Sequence, residues 1–128
     1  MLQIDSIDEL AALNRALMEA RYLARDVDGA TRGSAFLGQI HERVVDSIIE
    51  LHDSRGEAEK AESWRKWRRF STRSTEQLAI VEYLKEMWPH LKTPAARRGA
   101  VENQMRPFAY ADSDVREMVA RIEVAVPE

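Results

Sequence analysis

Cysteine is missing from all 128 residues. That single absence removes disulfides, cysteine zinc sites and thiol catalysis together, and it accords with a reducing compartment, so a cytoplasmic location is expected. No apolar run approaches the ~20 residues a membrane span needs, and no membrane partner is expected. The amino terminus carries Asp5, Asp8 and Glu9 and lacks a basic stretch followed by an apolar run, which argues against a signal peptide. Strand signals are missing too. No segment alternates with period two, and no hairpin dipeptide sits between such segments. Nor does a longer repeat appear. There is no His-Glu-x-x-His motif and no Gly-x-Ser-x-Gly elbow. Gly29 to Gly33 has no strand before it, lacks the phosphate-loop lysine and is one residue too short between its glycines.

What remains is a chain with 45% apolar and 32% charged residues, the composition of one globular domain over residues 1–128 with a heavily charged exterior. Its net charge of −3 is unevenly spread. Residues 1–63 hold 7 Lys and Arg against 13 Asp and Glu, a net of −6; residues 64–128 hold 12 against 9, a net of +3. Such asymmetry suits self-association or a charged partner.

Helical spacing dominates. Leu10, Leu13, Leu17, Ala20, Ala24 and Val27 recur every three or four positions, and Ser6 with Glu9 forms a capping-box start, which predicts a helix over about 6–28 ended by Gly29. Ser34 caps a second helix over about 34–53, its core stripe Leu37, Ile40, Val44, Ile48 and Leu51, widened by Val45 and Ile49. A third spans about 57–71, acidic at its start and basic at its end, as the helix dipole favours. Ser74 with Gln77 resembles a further capping box and opens a helix that runs to Pro89. Thr93-Pro94 opens a shorter helix over about 94–105, and Asp112 the last. The expected fold is all-α: a compact bundle of four main helices plus one or two short C-terminal helices.

Three clusters compete as candidate sites. Residues 64–73 interleave Arg65, Lys66, Arg68, Arg69 and Arg73 with Trp64, Trp67 and Phe70. Nucleic-acid binders set basic side chains on phosphates and stack bases on aromatics, and an acidic protein surface would meet the same cations. On a helical wheel the aromatics gather on one side and Arg65, Lys66 and Arg69 largely on the other, so the competing reading is a core edge with a solvated rim. The second cluster is His41, Glu42, Asp46 and His52, examined as metal ligands. His41 and His52 project from nearly one line inside the apolar arc, yet stand about 16 Å apart along the axis, too far to share an ion. The third is Glu50-x-x-Asp53 with Glu59-x-x-Glu62. These pairs resemble the acidic motifs of the all-helical nucleoside-triphosphate pyrophosphatases, which hold magnesium between helices. The likeness covers four residues, with the pairs in reversed order and closely spaced, and it assigns no family.

With no catalytic motif assembled, the expected role is a non-enzymatic protein–protein interaction or oligomerisation module, with itself or another protein as partner and no cofactor. Ala11, Ala12, Met18 and Leu23 lie beside or outside the first helix's stripe and offer a second apolar strip for that contact. The alternatives are a nucleic-acid-binding helical protein using residues 64–73 and a metal-dependent helical-bundle enzyme.

Overall fold

A computed structural model describes residues 1–24 and 27–127. It is all-α, as the spacing predicts, with seven α-helices among the described residues: α1 Ile7–Met18, α2 Gly29–Arg32, α3 Ala35–Ser54, α4 Ala58–Trp67, α5 Ser74–Met87, α6 Pro94–Met105 and α7 Asp112–Ala125. None of them is long and apolar enough to cross a membrane.

Caps explain most of the boundaries. The hydroxyls of Ser6, Ser34 and Thr93 accept hydrogen bonds from the amides of Glu9 (3.3 Å), Leu37 (3.2 Å) and Ala96 (3.1 Å), so each occupies one of the free donors at its helix start. Gly56 ends α3 at φ +71°, a left-handed backbone that glycine adopts without steric cost, and it returns the chain into α4.

Four boundaries differ from the sequence-based expectation. α1 widens into a π-turn over Glu19–Leu23 and stops, and Gly29, expected as the helix end, instead opens the one-turn α2. Arg25 and Asp26, inside the expected helix, lie outside the described residues. Asp28 caps α2 by accepting from the Thr31 amide at 2.8 Å. α4 ends at Trp67 rather than 71, because Arg68 and Phe70 turn to bond the α6–α7 connector: Ala109 N–H donates to the Arg68 carbonyl (2.8 Å) and Phe70 N–H to the Ala109 carbonyl (3.1 Å). Ser74 is no cap. It is the first residue of α5, and the Gln77 side chain donates instead to the Phe70 carbonyl at 2.7 Å.

The helices form two packed groups. In one, α3 lies between α1 and α4; in the other, α5 packs on α6 and α7. Leu10, Leu17, Val44 and Ile48 fill the α1–α3 seam, while Val45, Ile49 and Ala61 fill the α3–α4 seam. The larger core gathers Ile80, Val81 and Leu84 of α5, Val101 and Met105 of α6, and Val115, Met118 and Ile122 of α7. The groups join here, because Met18 at the end of α1 and Tyr22 within the π-turn both enter this larger core. Met18, expected in a second surface strip, is therefore interior. Ile40 goes the other way. The sequence stripe places it in the core, whereas α3 centres its buried face on His41, Val45, Ile48 and His52 and leaves Ile40 40% exposed.

Candidate functional site

Members of all three candidate clusters meet across one open groove of about 540 Å³ beside α3. Glu42, Asp46, Glu50 and Asp53 recur at helical spacing along one side of α3, facing Arg65 and Arg68 from α4 above a floor of Ile49, Phe108 and Ala109. The opposite charges neutralise one another. Arg68 pairs with Asp46 at 2.6 Å and donates through Nε to the Pro107 carbonyl at 2.6 Å. Arg65 pairs with Asp53, and Arg106 with Glu42 at 3.2 Å. Arg73 pairs with Glu76 at 3.1 Å and stacks over the rings of Trp67 and Phe108. Three of the five cations from the basic segment are thus held by this chain's own carboxylates, and Lys66 and Arg69 stand exposed. Trp64 and Trp67 are half-buried, edge to face at 5.3 Å; Trp64 packs on both seams of α3, and Trp67 lies 5.3 Å from Phe108.

The histidines part company. His52, at the end of α3, meets the Glu57 carboxylate through Nδ1 at 3.1 Å, and Glu57 also takes Lys60 at 3.2 Å. These two contacts hold the Glu57 carboxyl below its usual range, that of His52 contributing most. His41 is fully buried, and both of its ring nitrogens are engaged. Among the described residues no three His, Asp or Glu side chains come together to hold a metal ion. Nor do the two acidic pairs face each other: Glu50 and Asp53 line the groove, while Glu59 and Glu62 border a separate depression on α4 with Ala58, Ser63 and Lys66.

Sequence reasoning missed the environment of His41. It belongs to a buried polar centre whose hub is Arg21, fully buried on the π-turn. Arg21 Nη1 donates to His41 Nδ1 (2.9 Å) and to the Arg106 carbonyl (2.5 Å), and Nη2 donates to the Asn103 carbonyl (2.8 Å). The Tyr22 hydroxyl lies 2.5 Å from both the Gln104 and the Arg106 carbonyls. A guanidinium only donates, so Nδ1 of His41 accepts, and the ring proton sits on Nε2, which donates to Asn14 Oδ1 at 2.7 Å. The acceptors are the free carbonyls at the end of α6, where the helix dipole is negative. These carbonyls compensate the buried cation in place of a carboxylate. Burial, then the charges of Arg21 and Arg68, drive the His41 pKa from 6.5 down to about 3, so the ring is neutral. Burial likewise pushes the Tyr22 phenol up and lowers Arg21. The centre is closed and internally satisfied at His41, and its work is to hold α1, α3 and α6 together.

The opposite side of α1 and α3 differs. Phe36 is 77% exposed, with Ile40 one helical turn further along the same face, and Leu23 of the π-turn is 48% exposed. The Asn14–His41 bond sets one level of the pair, and Asp5 to Asp8 lie beside His52 while Arg21 lies against Gly38, so the two helices run antiparallel. With about 100° per residue, Leu13 and Ala16 on α1, Ala20 at the start of the π-turn, and Phe36, Ile40 and Ser47 on α3 occupy the flank turned away from α4 and α6. All six are uncharged, and Glu9 and Arg43, both exposed, border one end. No protein-family model, curated protein or solved structure matches the chain.

Proposed function

We propose that this protein is a helical interaction module whose contact surface is the outer flank of α1 and α3. The observation that carries the reading is the exposure of Phe36 and Ile40 side by side, on a helix whose opposite side supplies core. A phenylalanine in water forgoes the burial that offsets ordering a side chain, and neighbouring apolar exposure of this kind marks contact sites in soluble proteins. Aromatic side chains dominate the energetics of such contacts. The basic segment adds little free charge, because Arg65, Arg68 and Arg73 are already paired within the chain.

The test compares the chain with its Phe36→Glu, Ile40→Glu double variant. Both positions are exposed and lie in the first turns of α3, so the variant retains its helical circular dichroism and cooperative unfolding. Self-association is measured by light scattering, and hetero-association by labelled capture from host lysate, quantified for both proteins. Association lost in the variant supports the reading. Association unchanged by it, or none by either measurement, refutes it.

A further inference from the structure

Resting on that reading, we infer that the occupant of the α1–α3 flank is a second copy of this chain, related by a two-fold axis parallel to the two helices. Such an axis lays α1 of one copy along α3 of the other, at equal height on both sides. The shape of the flank makes this pairing self-complementary. From the Asn14–His41 anchor and a rise of about 1.5 Å per residue, Ala16 and Ile40 stand within about 2 Å of the same height, as do Ala20 and Phe36. Each protruding side chain of α3 therefore meets a recess on the partner's α1, where an alanine leaves room. The two small residues and the two large ones belong to the same face of one chain, so a single symmetric contact seats both sets twice.

Charge follows the same symmetry. Glu9 lies at the lower end of α1 and Arg43 on α3 about 4–5 Å from its height, a gap two long side chains span. Under the proposed axis one copy's Glu9 meets the other's Arg43, twice per dimer. The product is a four-helix bundle in which each helix is antiparallel to its neighbours, the packing that short apolar flanks of this width adopt. A foreign amphipathic helix would cover one groove, but it would leave unexplained why the knobs and the recesses sit on separate helices at matched heights.

The test uses the intact chain. Sedimentation across a concentration series should give a reversible dimer. Phe36→Glu and, separately, Ala16→Glu should each weaken it at least about 30-fold, the size of losing one interfacial anchor. Glu9→Arg should weaken it, and adding Arg43→Glu should restore it. Because the protein has no cysteine, single Ala16→Cys and Ile40→Cys variants report position without background. Mixed and oxidised, they should form the 16–40 disulfide between chains in preference to 16–16 or 40–40. A dimer that ignores the substitutions, or a 16–16 product in excess, overturns the proposed axis. A pure protein that stays monomeric overturns it as well; if that monomer still captures another protein in a Phe36-dependent way, the interaction reading stands and only the second copy falls.

Discussion

Lowering the pH from 7 to 5 should weaken the fold, and His41 should account for about one proton of that dependence. Its folded pKa of about 3 lies below the ordinary 6.5, so the unfolded chain takes up a proton over this range while the folded chain does not. A depressed folded pKa contributes stability that is fully present above the unfolded value and is lost as pH falls toward the folded one. Between pH 7 and 5 the loss works out at about 2 kcal/mol, since each pH unit of unmatched protonation is worth about 1.4 kcal/mol. The physical cause is concrete. Protonated Nδ1 would point a second cation at Arg21 Nη1 across 2.9 Å, in a site closed to water. His41→Gln removes the titration while keeping an acceptor and a donor on the side chain. Urea unfolding followed by tryptophan fluorescence at pH 5, 6, 7 and 8 measures both proteins. The wild type should lose about 2 kcal/mol more than His41→Gln from pH 7 to 5. Equal slopes, or a His41 ring that titrates near 6.5 by NMR, would refute the account of the buried centre.

Two further stability outcomes follow from the packing. A Cβ on Gly38 would run into the Asn103 side chain and crowd its carbonyl (3.2 Å) and Arg21 Nη2 (3.3 Å), whereas one on Gly99 meets nothing within 4 Å. Gly38→Ala should therefore cost about 1–3 kcal/mol by overpacking, and Gly99→Ala, inside α6, should gain up to about 1 kcal/mol, both read by thermal and urea unfolding. Arg68→Ala should cost about 1–2 kcal/mol by the same assays, because its side chain is only 17% exposed and makes both the Asp46 pair and the bond to the Pro107 carbonyl. Arg65→Ala, at a half-exposed pair, should cost less than about 1 kcal/mol.

The sequence carried the regular parts of this fold in its spacing and caps. Ser6, Ser34 and Thr93 start helices because a short hydroxyl side chain reaches back to a free amide, and that signal is local. The stripe Leu10, Leu17, Val44, Ile48 is likewise local in origin and sits in the core. What escaped notice depends on distant partners. Neither the π-turn nor the early end of α4 has a marker of its own, since each is set by carbonyls and amides more than 35 residues away. Arg21 reads as a surface residue until its acceptors at the end of α6 are known. A weak sign was present: Asn14 and Arg21 lie seven residues apart on the side of α1 that carries Leu10 and Leu17, polar residues in an apolar row. The candidate flank was hardly legible. Leu13 and Ala20 belong to the first stripe and Ile40 to the second, so all three read as interior, and Phe36 sits just past a cap, outside either stripe.

The tie between Arg21 and the end of α6 also bears on how the chain folds. His41 lies only 20 residues along the chain, but the two carbonyls that compensate the charge lie 82 and 85 residues away. The α1–α3 seam can close without them, whereas burial of the guanidinium waits on residues 103–106. Contacts of such wide separation slow the search for the native state.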